Sequence, residues 1–94
     1  MANNTKVSVL ATSTTVLSAP FRTVVLANCG TSGIIWLRVG QSGDAVVGEW
    51  IPLIPASEVG GIGGSFTLND ETLSQNIISA ISSTGTNNLS VYSL

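Results

Sequence analysis

The chain is predicted to be all-β, a single β-sandwich or jelly-roll-like domain of about six to eight short antiparallel strands. An extended N-terminal arm, residues 1–18, is expected to precede the sandwich domain, residues 19–94. Three observations predict this. Short runs of Val, Ile, Leu and Thr recur between clusters of Gly, Asn, Ser and Pro, as strands do between turns. No apolar i, i+3, i+4, i+7 pattern lasts long enough to define a helix. Finally, 44% of the 94 residues are hydrophobic, yet only three are Lys or Arg and five Asp or Glu, whereas about a quarter of an ordinary soluble domain is charged. Such a surface must be covered by Ser, Thr, Asn and Gly, or by a partner. A chain of this size hides only about two-thirds of the surface its unfolded form exposes, which favours a homo-oligomer.

The elements follow in order. Thr5 to Ala11 alternates Val7 and Val9 against Lys6 and Ser8, and a Thr/Ser stretch through Thr15 extends the arm. Val16 to Ser18 starts a short strand that Ala19-Pro20 limits, because proline cannot donate to a central ladder. Phe21 to Ala27 is the next strand, and Asn28-Cys29-Gly30-Thr31-Ser32-Gly33 has turn chemistry, so a hairpin to Ile34–Val39 is expected. In that partner Ile35, Leu37 and Val39 line one face, while Trp36 shares the other with Ile34 and Arg38.

After the loop at Gly40–Asp44, Ala45 to Leu53 reads as a strand interrupted by Gly48, a mark of a bulge or a close backbone approach. Pro52 and Pro55 make its end an edge or an exit. Glu58 to Ser65, with Gly60, Gly61, Gly63 and Gly64, reads as a flexible loop; its GGxGG spacing is not the GxGxxG of a dinucleotide site. Ser65 to Leu68 is a short strand, and Asn69 or Asp70 is placed to cap a single helical turn. Ile77–Ser82 and Leu89–Leu94 are expected to form a hairpin across Ser83–Asn88. A small barrel shares the same pattern of turns and strands.

The missing chemistry narrows function. Without histidine the chain lacks the commonest general base and metal ligand. Cys29 has no electropositive neighbour to activate it and reads as a plain free thiol. Asp44, Glu49, Glu58, Asp70 and Glu71 show neither the pairing of a glycosidase nor the offsets of a calcium loop. Neither an enzyme nor a cofactor is expected. Lys6, Arg22 and Arg38 are scattered, whereas nucleic-acid binding needs clustered cations. The longest apolar stretch, Trp50 to Ala56, is broken by two prolines, so no membrane span is expected. Met1 to Lys6 lacks the basic start and apolar run of a signal peptide, and one unpaired cysteine suits synthesis in a reducing cytoplasm. Trp36, Trp50 and Tyr92 offer stacking faces, which makes a carbohydrate-binding attachment module the alternative reading.

One resemblance runs from Phe21 to the end. Arg22-Thr-Val-Val-Leu-Ala-Asn28 with Gly30 after it, Ile35-Trp-Leu-Arg-Val-Gly40, Trp50-Ile-Pro-Leu53, Ile78-Ser-Ala-Ile-Ser-Ser-Thr-Gly-Thr86 and Leu89-Ser-Val91 follow one another in a familiar order. This pattern resembles the small β-sandwich virion proteins of tailed bacteriophages. The resemblance implies a non-enzymatic capsid cement or decoration protein, acting on the virion surface as a dimer or trimer bound to the major capsid protein. A place at the head–tail junction or in the tail is a second version. On that reading the arm, with Val7, Val9 and Leu10, adds a strand to a neighbour. Trp36, Trp50, Ile51 and Leu53 are the interface anchors, since buried aromatic residues dominate interface energies.

Overall fold

Period-two alternation decides which side of each strand is dry, and here it produces two apolar faces that close on one another. The computed structural model describes residues 3–18, 23–40, 44–58, 61–69 and 77–93. Within them lie β1 (Asn3–Val9), β2 (Thr14–Ser18), β3 (Thr23–Asn28), β4 (Ile35–Gly40), β5 (Ile51–Leu53), β6 (Ser65–Asn69), β7 (Ile77–Ser82) and β8 (Asn87–Ser93). No helix occurs among the described residues. All pairings are antiparallel, in two four-stranded sheets ordered β1-β8-β3-β6 and β2-β7-β4-β5. Each strand of the first half pairs with its mirror in the second, β1 with β8 and so on to β4 with β5. This is the order of a jelly roll.

The order corrects several expectations at once, because every connection except that between β4 and β5 changes sheet. Residues 28–33 do not turn a hairpin: β3 and β4 lie in opposite sheets, and the turn is a corner of the sandwich. The connection from β7 to β8 is likewise a corner. Turn chemistry signals a reversal of direction, and a reversal into the facing sheet looks the same in sequence. The N-terminal segment is no arm either. β1 pairs with β8 along its whole length and β2 pairs with β7, so the sandwich domain begins well before residue 19. The low apolar content of these residues reflects edge positions in both sheets.

Between the sheets, Val9, Val24, Leu26, Ile35, Leu37, Leu53, Ile78, Ala80, Leu89 and Val91 form the core. Val7, Val16, Leu17, Val39, Ile51, Phe66 and Leu68 pack at its margin. The strand predicted over Ala45 to Leu53 is reduced to Ile51–Leu53. Glu49 N donates to Val46 O (3.1 Å) and Gly48 has φ 89°, so a turn with the positive φ expected at its third residue replaces the predicted bulge. The predicted helical turn at Asn69–Leu73 lies mostly outside the described residues, as do Phe21 and Arg22.

The glycine-rich segment packs more closely than the flexible loop predicted for it. Gly63 N donates to Asn28 O (2.8 Å) and Gly64 N to Ile54 O (2.9 Å), while Gly64 O accepts from Asn28 N (3.0 Å). This lays Gly63 against the backbone of Ile54–Ala56, where a Cβ would collide with the Ile54 carbonyl. Gly63→Ala is therefore expected to destabilise the fold by about 1–3 kcal/mol through overpacking. A urea titration checks this, and an unchanged midpoint would mean that the segment relaxes freely.

Candidate functional site

The two outer faces of the sandwich differ in chemistry. On the β1-β8-β3-β6 sheet the core-facing rows are Val9, Leu89, Val91, Val24 and Leu26. Alternation therefore turns Asn4, Lys6, Ser8, Asn88, Ser90, Tyr92, Val25, Ala27 and Thr67 outward. Around the half-buried Val25 and Ala27, hydroxyls and amides wet that face. On the β2-β7-β4-β5 sheet, burial of Ile35, Leu37, Ile78 and Ala80 turns Trp36, Arg38 and Ile81 outward. The register sets Pro52, Trp36 and Ile81 side by side across three strands. Arg38 lies in the next outward row of β4, opposite Ser79, which in turn faces Thr15.

The β4–β5 connection is attached to this second face at both ends. Ala45 N donates to Ser13 Oγ (2.9 Å) beside the start of β2. Farther on, the Trp50 ring lies 5.1 Å from Arg38 Cζ, a cation–π distance worth about 0.5–1 kcal/mol at an exposed site. Val46, Val47, Trp50 and Ile54 nevertheless present much of their apolar surface to solvent, Trp50 at 55% and Ile54 at 61%. Half-buried Trp36 has its Nε1 enclosed without a hydrogen-bond partner, an arrangement that costs about 1–3 kcal/mol. Trp50 also has φ 73°, the positive-φ non-glycine residue of the described chain. For a bulky side chain this conformation costs of order 1–3 kcal/mol.

A large aromatic held at positive φ and half exposed contributes little to its own fold. Trp50→Gly removes both the strain and the cation–π contact, so the expected change in stability is small, within about 1 kcal/mol of the parent. Thermal denaturation checks this; a loss above about 2 kcal/mol would make Trp50 a structural residue.

The predicted anchors separate into two groups. Trp36 and Trp50 are brought together on the outer face of the β2-β7-β4-β5 sheet, joined through Arg38. Val9 and Leu53 are core residues of the single chain, and Val7 and Ile51 pack against that core. Val7 and Val9 were expected at an interface as part of a strand-adding arm and Ile51 and Leu53 as anchors beside Trp50, and alternation turns these four inward. Leu10 is 47% exposed but sits between β1 and β2, where its carbonyl accepts from Ser82 N (2.8 Å). Tyr92 lies on the outer face of the other sheet, so the three aromatics do not form one stacking platform. The residues missed include Pro52 and Ile81, which only cross-strand register places beside Trp36. Val46, Val47 and Ile54 add exposed apolar surface in the segments that lead into and out of β5.

Asp44, Glu49 and Glu58 are exposed, and Cys29 is a half-buried free thiol whose Sγ approaches Ala27 O (3.8 Å). Among the described residues no group of three or more His, Cys, Asp or Glu could hold a metal ion. No helix among them is long and apolar enough to cross a membrane. Comparison with protein-family models, curated proteins and solved structures finds no match for this chain.

Proposed function

We propose that this chain is a non-enzymatic structural protein of a tailed-phage virion. It binds the major capsid protein on the capsid surface as a cement or decoration protein and is itself a homo-oligomer. The observation that carries the reading is Trp50, a half-exposed aromatic kept at φ 73° beside Arg38 on the sheet face that also carries Trp36, Ile81 and Pro52. Aromatic and Arg side chains are the residues that supply most of the energy of protein interfaces, and unusual backbone conformations persist where function requires them. The opposite, hydroxyl-rich face suits the side left in water. Eight-stranded jelly rolls occur among viral capsid domains, an analogy of fold that supports the reading without carrying it. Repetition over a lattice multiplies a modest contact by avidity.

The anchoring element of this reading is the β2-β7-β4-β5 face rather than an N-terminal arm. Capsid particles lacking the protein are mixed with purified chain and sedimented. The expected result is stoichiometric co-sedimentation, lost in Trp50→Gly and kept in Ser90→Asp on the wetted face. Equal occupancy by both variants would overturn the assignment of the face, and no binding by the parent would overturn the cement reading. Copy number per particle separates a capsid position from the neck or tail.

A carbohydrate-binding attachment module is the second reading. It is favoured by the exposed indole of Trp50, since sugars stack on aromatic faces, and by the presence of lectins among jelly rolls. A glycan array with no bound sugar would remove it.

A further inference from the structure

The two sheets have four edge strands, β1 and β6 in one and β2 and β5 in the other. A free edge exposes unpaired N–H and C=O groups, and proteins that remain monomeric blunt such edges with charged side chains, bulges, prolines or very short strands; on β1 the one charge is Lys6. Two of the four edges here are blunted. β2 carries a register shift between Thr15 and Leu17. β5 has three residues, one of them Pro52, and the carbonyl of Ile54 beyond it is taken by Gly64 N. β6 has five residues. β1 is the long one: seven residues without Gly or Pro, in unbroken register with β8 from Asn3↔Ser93 to Val9↔Asn87. Among the described residues, no backbone hydrogen bond reaches its outer edge.

We infer that β1 is the contact through which two copies of this chain join, antiparallel about a two-fold axis at Val7, making one eight-stranded sheet from two of four. A second copy is the occupant that suits this strand, because an antiparallel edge is complementary to itself under a two-fold axis and the pairing closes. Pairing β1 with β6 of another copy would instead run on without end. The side-chain pattern selects the register. A two-fold axis keeps core-facing residues opposite core-facing residues, so it must pass through a residue. An axis at Lys6 sets two lysines directly opposite, which is unfavourable. An axis at Thr5 sets Val7 opposite Asn3. An axis at Val7 sets Val7 against Val7, Thr5 against Val9 and Lys6 against Ser8. It extends the core across the junction and covers Val7, which the single chain leaves half-buried at the core margin.

The inference rests on the proposed function only for the expectation of a homo-oligomer. The test uses the full chain, with light scattering for mass and amide exchange by NMR for the contact. The expected result is a dimer in which the β1 amides pointing away from β8 exchange at least about tenfold more slowly than in dilute monomer. In a Cys29→Ser background, Val7→Cys should give a disulfide-linked dimer under mild oxidation, faster than Lys6→Cys, since only the former pair is directly opposite. A monomer at all concentrations would overturn the inference, as would a dimer whose outward β1 amides exchange freely or a faster link through Lys6→Cys. A monomer that still binds capsids would overturn the pairing and leave the capsid reading standing, whereas a dimer that ignores capsids would do the reverse.

Discussion

Asn87→Ala is expected to lower stability by about 2–4 kcal/mol, the cost of leaving several buried polar groups unpaired at one corner of the sandwich. Asn87 opens β8 and is fully buried. Its Oδ1 accepts from Ser32 N (3.2 Å), Ser32 Oγ (3.1 Å) and Gly33 N (3.2 Å). Its Nδ2 donates to Ser82 Oγ (2.7 Å) and Thr84 O (3.0 Å). One side chain therefore joins the corner between β3 and β4 to the corner between β7 and β8. Gly30 packs so close to it that a Cβ there would strike the Asn87 side chain, and alanine at 87 leaves a gap as well as orphaned donors. Total stability for a chain of this length is about 5–14 kcal/mol, so the loss is a large fraction of it. With each kcal/mol worth about 4–8 °C at this size, a melting temperature at least about 8 °C lower is expected. A fall under about 4 °C would mean that water takes over the acceptor role.

The second large effect depends on pH. Asn28, also fully buried, donates from Nδ2 to Gly33 O (3.0 Å) and Leu53 O (2.9 Å), and accepts at Oδ1 from Gly30 N (2.9 Å). Two carbonyls on one side and an N–H on the other assign the amide orientation. Asn28→Asp keeps the acceptor but turns an oxygen toward both carbonyls. Burial and repulsion disfavour the charged form, raising the pKa of the introduced acid in the folded state above its unfolded value of about 3.9. The folded variant then binds more protons than the unfolded chain above about pH 4, so its stability falls as pH rises. The loss approaches about 1.4 kcal/mol per pH unit until the folded-state pKa is passed. Relative to the parent, an extra deficit of about 2–4 kcal/mol is expected at about pH 7 compared with about pH 4. Urea midpoints of parent and variant at both values check this. A difference independent of pH would overturn the assigned donors.

Both asparagines stand in segments that read from sequence as hairpin turns, and both expectations failed in the same way. Asn28-Cys29-Gly30 and Thr84-Gly85-Thr86-Asn87 have the composition of exposed turns. Their amides are instead buried, because each turn carries the chain across the core into the facing sheet and brings polar backbone with it. The need to satisfy that backbone is what places Asn at these corners. No local signal separates such a corner from a hairpin.

Much of the candidate site was legible at the level of a single strand. Alternation along Ile35–Val39 already put Trp36 and Arg38 on one face and Ile35 and Leu37 on the other, and the burial follows that division. The companions were not legible. Ile81 and Pro52 join Trp36 only through pairings of β4 with β7 and β5. Trp50 reaches Arg38 because the chain turns at Val46–Glu49 instead of running straight.

By itself the sequence determined the all-β class, most of the strand positions, the parity of β4 and the scarcity of charge, since propensity, alternation and composition are local quantities. Tertiary structure alone decided that residues 3–18 belong to the sandwich, that the turns after β3 and β7 are corners and that Val9 and Leu53 are core. It also decided that the two outer faces differ, one wetted by Ser, Thr and Asn and the other left apolar around two tryptophans. The physical reason is that a jelly roll pairs the first strand with the last. Its register is chosen by burying two distant apolar faces together, a choice no short window of sequence contains.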